Sequence, residues 1–195
     1  MNIIAVQSSN RPDGLTASLA KEVLAGAAEA ADKAGKCIET EVIDLNKLKI
    51  NVCRACGEHG WGQCREGHGC IQDDDFTELY ERICRADALV FATPVYFGDL
   101  SESAKTFLDR LRRQEWPRRE AGRLRGRPVV GITAAGGSGN GPVNAVRSLE
   151  NYMTYIGMSH VIYLPTSRQN QGAQFKAARE AGRHLAGILL DGHPS

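Results

Sequence analysis

Four stretches of this chain carry residue types able to do chemistry. The first is Thr93-Pro94-Val95-Tyr96-Phe97-Gly98-Asp99-Leu100-Ser101. Pro94 fixes its own φ and restricts Thr93 to extended conformations. Gly98 lets backbone approach a ligand closely. A stiff loop with free peptide groups and two aromatics suits a flat heterocycle. It equally suits a strand-to-helix turn whose aromatics pack inward. The second stretch runs from Gln7 to Ala17 and holds Ser9, Arg11, Gly14, Leu15 and Thr16. Hydroxyls, a guanidinium and free amides at a helix start form an anion cradle. The plainer alternatives are Thr16 as an N-cap and Arg11 as a surface charge. G-x-G-x-x-G and the P-loop are both absent, so a terminal monophosphate fits better than a pyrophosphate. The third stretch, Thr133 to Pro142, includes Ala135, Gly136, Gly137, Ser138 and Gly139. Its many amides can hydrogen-bond a ring edge, or the run is simply a flexible loop.

The fourth stretch holds cysteines. Six occur, at 37, 53, 56, 64, 70 and 84. Cys53, Cys56, Cys64 and Cys70 are spaced C-x2-C-x7-C-x5-C. In a reducing compartment such clustering favours metal or redox chemistry over structural disulfides. Four thiolates can hold a [4Fe–4S] cluster or a tetrahedral Zn²⁺. His59 and His68 keep zinc open. An ordered loop of reduced cysteines, or opportunistic disulfides, is the plain alternative. Cys37 and Cys84 read as packing residues.

Five strand-like runs must position these stretches: Asn2 to Val6, Ile38 to Leu45, Ala88 to Val95, Pro128 to Ala134 and Val161 to Leu164. Most are apolar throughout, as strands covered on both faces should be. Glu39, Glu41 and Asp44 interrupt the second and place it at a sheet edge. Helical spacing marks Thr16 to Ala34, Asp74 to Arg85, Ser101 to Arg113, Pro142 to Ile156 and Gln174 to Leu190. Strict β–α alternation predicts a doubly wound α/β fold with helices on both faces. Five parallel strands predict the flavodoxin-like order 2-1-3-4-5, with the ligand at the carboxyl edge between strands 1 and 3. The expectation is one domain over 1–195, interrupted by a cysteine-rich insert at about 47–73.

The 195 residues carry a net charge of +1, 42% hydrophobic and 24% charged residues, ordinary values that point to neither nucleic acid nor membrane. No apolar run reaches the ~20 residues of a membrane span. Met1 to Val6 reads as a strand rather than a signal peptide, and a cytoplasmic location is the default expectation. Arg110, Arg112, Arg113, Arg118, Arg119, Arg123, Arg125 and Arg127 crowd one segment. They read as a solvated or intersubunit loop, or as a site for a phosphate-bearing partner such as NADPH.

Together these residues resemble the NAD(P)H-dependent FMN reductases of the flavodoxin-like superfamily, and within them the iron–sulfur flavoproteins. Ser9, Arg11, Gly14 and Thr16 match the family's phosphate loop. Thr93 to Gly98 match its loop at the isoalloxazine ring, and Gly136 and Gly137 its third loop. Lys105, Asp109 and Arg110 match a Lys-x-x-x-Asp-Arg, and Cys70 to Asp74 a Cys-x-x-Asp-Asp. Asn10, Leu15 and the middle cysteine gap depart from the pattern. The iron–sulfur members resemble C-x2-C-x2-C-x4–7-C, so this gap is five residues longer. The resemblance implies FMN as cofactor, with Pro94, Val95, Tyr96, Phe97 and Gly98 at its ring. It implies NADH or NADPH as co-substrate, a small-molecule or protein electron acceptor, and a homodimer or homotetramer built through Ser101 to Arg113. It assigns no general acid, base or nucleophile. Two rival readings are an electron carrier holding FMN and a cluster, and a non-catalytic flavodoxin-fold module stabilised by zinc.

Overall fold

The computed structural model describes residues 1–67 and 69–192, without the side chains of Arg119 and Glu120. His68, a candidate zinc ligand, lies outside the described residues. The parallel strands are β1 (Asn2–Gln7), β2 (Glu39–Asp44), β3 (Ala88–Tyr96), β5 (Pro128–Ala135) and β6 (Ser159–Ser167). They lie in the order β2-β1-β3-β5-β6, which is the expected 2-1-3-4-5 once the short β4 (Asp99–Leu100) is set aside. That strand is a correction. Phe97 and Gly98 take φ of 51° and 84°, the left-handed pair of a tight hairpin turn. The chain therefore folds back, pairing Val95 with Leu100 and Tyr96 with Asp99, before it enters a helix.

The helices are α1 (Leu15–Lys33), α2 (Phe76–Arg85), α3 (Glu102–Glu115), α4 (Pro142–Ile156) and α5 (Gln171–Leu190). Each buries one apolar stripe on the sheet. Phe76, Phe107, Leu108 and Leu149 cover one face with α2, α3 and α4. Leu19, Val23, Ala178 and Leu185 cover the other with α1 and α5. Phe91 of β3 lies with its ring centroid 5.9 Å from that of Phe107, which is 5.7 Å from that of Phe76. On the opposite face α1 and α5 approach until Gly26 meets the backbone of Arg179 and Gly182 that of Val23, so neither admits a Cβ. The sheet thus fixes its carboxyl edge between two well-packed layers.

Several boundaries move. β6 is longer than expected and contains Pro165, tolerated because this is an edge strand. Helix α2 starts at Phe76, since Asp74 and Asp75 serve the preceding insert instead. Cys84 is buried as expected, but Cys37 is exposed in the connection between α1 and β2. No helix among the described residues is long and apolar enough to cross a membrane.

Candidate flavin cleft and cysteine insert

Two clefts sit at the carboxyl edge of the sheet. The larger, about 730 Å³, is lined by Val95, Tyr96, Phe97 and Gly98 on one side and Ala135, Gly136, Gly137 and Ser138 on the other. The smaller, about 350 Å³, is lined by Ser9, Arg11, Gly14, Leu15, Thr16 and Pro94. Both share Tyr96 and Gly136, so they form one continuous trough. Gly139 lines neither. It sits against the Gln169 side chain, because the loop turns at Gly136, whose carbonyl accepts from the Gly139 amide at 2.9 Å.

The first loop is closed on itself. The Ser9 hydroxyl accepts from the Arg11 amide at 3.1 Å, and the Gln7 side-chain oxygen from the Ser9 amide at 2.7 Å. Gly14, not Thr16, occupies the N-cap position of α1. The helix start has no side-chain cap and no acidic residue in its first turn. Its free amides and positive dipole end are left for an anion. Thr16 is 4% exposed.

The second loop is held by buried hydroxyls. Ser101 caps α3 by accepting from the Ala104 amide at 3.3 Å. It donates to the Ser8 hydroxyl at 2.8 Å, and its amide donates to the Thr93 hydroxyl at 3.1 Å. This chain ties the end of β3 to the end of β1 and leaves the aromatics outside. Tyr96 is 42% exposed and Phe97 wholly exposed, which overturns the inward-packed alternative. Phe97 is a bulky residue in the left-handed region, a strained placement of the kind found at functional sites. The second and third loops also touch. A Cβ on Gly141 would lie 2.6 Å from the Gly98 Cα.

Sequence reasoning missed Asn140 and Asn144 at the larger cleft and Asn10, Arg168 and Gln171 at the smaller. The last two stand after β6. The rule that ligands bind beyond strand carboxyl ends covers that connection too.

Much of the arginine-rich segment is engaged within the chain, which corrects the solvated-loop reading for those members. Arg110 is 2% exposed and grips Asp74 with both terminal nitrogens, at 2.6 and 2.9 Å. It also donates to the Asn51 carbonyl at 3.1 Å and to Cys70 Sγ at 3.2 Å. Arg118 donates to the Gly67 carbonyl at 2.7 Å. Arg113 donates to the Gly60 carbonyl and lies 4.7 Å over the Trp61 ring. Trp61 in turn faces Trp116, ring centroids 6.2 Å apart. Arg123 pairs with Glu81 and Arg127 with the carbonyls of Cys84 and Ala86. Arg110, Arg113 and Arg118 clasp the cysteine insert, while Arg123 and Arg127 hold α2 and its end. Lys105 and Asp109 serve α4 instead, through Tyr152.

The long middle cysteine gap has a geometric explanation. Gly57, at φ 84°, lies 3.4 Å from the Gly62 Cα, measured from where its Cβ would be. The Gly60 amide donates to the Gly57 carbonyl at 3.3 Å. Residues 58–61 therefore leave the chain and return to it. Without them three residues separate Cys56 from Cys64, close to the two of the resemblance. A Cβ on Gly62 would stand 2.6 Å from Cys56 Sγ. Burial pushes the Cys64 thiol up, and the neighbouring Cys56 and Cys70 add to this, against the Gly62 backbone and Arg113. The donor set, four thiols on one insert, suits a soft metal centre in its chemistry. Its geometry is unfinished, since among the described residues no three His, Cys, Asp or Glu side chains stand as ligands of one ion.

Burial pushes the Asp74 carboxyl up, but Arg110 and the Asn51 and Phe76 amides outweigh it and hold it below the usual carboxylate range. A carboxyl depressed by folding adds stability above its unfolded pKa of about 4, and loses it as pH falls through the folded value. Of the chain's two tryptophans, Trp61 lies in this insert and Trp116 packs against it. Their fluorescence should hold from about pH 8 to 5 and change below about 4 as Asp74 takes up a proton. Asp74→Asn should show a smaller step over the same acid range.

A family model described as NADPH-dependent FMN reductase matches residues 1–168. An iron-sulfur flavoprotein of Methanocaldococcus jannaschii is 29% identical, over 97% of each chain. One of Methanosarcina thermophila is 28% identical, over 87% of each. Among solved structures, an oxidoreductase from Corynebacterium diphtheriae superposes over 98% of each chain with a TM-score of 0.69. At 16% identity that last likeness bears on the fold alone.

Proposed function

The chain belongs to the NADPH-dependent FMN reductase family, and from that premise we propose that it is an FMN-dependent oxidoreductase taking electrons from NADH or NADPH. The observation that carries this is the continuous trough, an anion-binding end running into an open aromatic end across Tyr96 and Gly136. A phosphorylated flat ring needs that sequence of environments. The free amides of α1, with Arg11 and Thr16, would hold the phosphate. The backbone amides of Gly136 and Gly137 would face the ring's polar edge and favour negative charge there. Tyr96 and Phe97 would flank the ring and limit water. When bound, FMN supplies hydride acceptance and hands electrons on to the acceptor. The exposed Phe97 and Tyr96, with Val143 also exposed on α4, suit a second subunit that helps close the trough, in a homodimer or homotetramer.

The cysteine insert favours a second reading, an electron carrier between protein partners. Cys53, Cys56, Cys64 and Cys70 would hold an iron–sulfur centre, which supplies one-electron transfer when present. The names of the two methanogen relatives support it. The test for both readings is an absorption spectrum of protein purified without oxygen, taken with metal analysis before and after NADH or NADPH. Flavin bands near ~450 nm that bleach with either nucleotide are expected. Protein that takes up no added FMN would overturn the oxidoreductase reading. About four irons per chain would add the carrier, and zinc without flavin would leave only a structural module.

A further inference from the structure

The smaller cleft carries more positive character than the first loop explains. Arg11 enters it from the connection after β1 and Arg168 from the connection after β6. Neither guanidinium has a side-chain partner among the described residues. No Asp or Glu lines the cleft. Thr16, 4% exposed, lines the same space, and its hydroxyl has no hydrogen-bond partner among the described residues. The first turn of α5 is likewise free of acidic residues and of a side-chain cap, and its first residue, Gln171, lines the cleft.

The backbone that carries Arg168 is fixed, while its side chain is exposed. The Asn170 side-chain oxygen accepts from the Ser167 amide at 2.7 Å, and Asn170 Nδ2 donates to the Pro165 carbonyl at 3.2 Å. Gln174 donates to the same carbonyl at 3.3 Å. Arg168 sits inside this clamp, while Gln169 beside it packs against Gly139. The loop after β6 is thereby joined to the loop after β5.

We infer that Arg168 is a specificity-determining residue, reaching the phosphate monoester of the flavin from the connection after β6 as Arg11 does from the connection after β1, and so selecting FMN over riboflavin. This rests on the oxidoreductase reading above. The chemistry recognised is a phosphate in a cleft that offers two guanidiniums, a buried hydroxyl and helix amides and no competing carboxylate. A nicotinamide dinucleotide also carries phosphates, and the experiment separates the two sources.

The experiment titrates FMN and riboflavin separately into wild type, Arg168→Ala and Arg168→Lys, followed by quenching of flavin fluorescence. Arg168→Ala should lose about tenfold or more in FMN affinity, the worth of one charge-assisted bond. Riboflavin affinity should stay unchanged. Arg168→Lys should recover part of the loss, since a point charge lacks the planar fork. Unchanged FMN affinity in Arg168→Ala would overturn the inference. A raised KM for NADPH or NADH in that case would give the arginine to the dinucleotide instead. Equal losses for FMN and riboflavin would also overturn it, as collapse of the cleft. Wild type that binds neither flavin would sink the oxidoreductase reading itself, a different failure.

Discussion

Arg110→Ala should destabilise the protein by about 3–5 kcal/mol, the cost of leaving a buried charge without its partner. The Asp74 side chain is fully buried and Arg110 is nearly so. Removing the guanidinium also leaves the Asn51 carbonyl and Cys70 without a donor and uncovers the Phe76 ring, over which it lies at 4.2 Å. Urea unfolding should show the loss as a lowered midpoint. Thiol titration should show it locally, with Cys64 and Cys70 reacting faster with a disulfide reagent than in wild type. Adding Asp74→Asn should restore part of the stability. The charge left behind disappears, while the remaining carbonyl still accepts from Asn51. A double variant no more stable than Arg110→Ala would mean that lost packing, not the stranded carboxylate, sets the cost.

Gly141→Ala should cost the flavin site more than the fold. Gly141 has φ 94°, where an alanine pays about 1–2 kcal/mol. Its Cβ would meet the Gly98 Cα at 2.6 Å and Val95 Cγ1 at 3.0 Å. Backbone faces backbone there, so the clash is relieved only by parting the two loops that wall the larger cleft. A loss of about 10–100-fold in FMN affinity is expected, as for other displacements of about 1 Å in a built site. Gly35→Ala provides the control. Gly35 also has a positive φ, 64°, with nothing within 4 Å of its Cβ position, and it lies in the connection between α1 and β2, away from the cleft. It should show the backbone strain in stability and leave FMN affinity unchanged. Unchanged FMN affinity in Gly141→Ala would show that contact between the two loops does not govern the cleft.

The parallel sheet was legible because its strands are buried on both faces and read as apolar runs. The three cleft loops were legible because glycine, proline and hydroxyl residues concentrate at strand ends. The hairpin at Phe97 and Gly98 was not, since a two-residue strand has no periodicity to read. The arginine segment was misread for a different reason. Arg110 meets Asp74 and Asn51, Arg113 meets Gly60, and Arg123 meets Glu81. Such pairings span dozens of residues and leave no local pattern, so charged side chains were assigned to solvent by default. Arg168 lacked a signal because one arginine in a polar loop becomes a site only when the fold brings it to the cleft that Arg11 also lines. The order of the cysteines was visible, but not the fact that Gly57 and Gly62 meet.

That meeting changes how the insert should be read across generations. An excursion that closes on itself between two neighbouring glycines can be gained or lost without moving the cysteines on either side far, although the Gly60 and Trp61 contacts to Arg113 go with it. Lineages carrying it and lineages lacking it would differ by an indel and share one arrangement of thiols. Counting residues between cysteines is then a poor guide to kinship, and the glycine pair flanking the gap is the better marker.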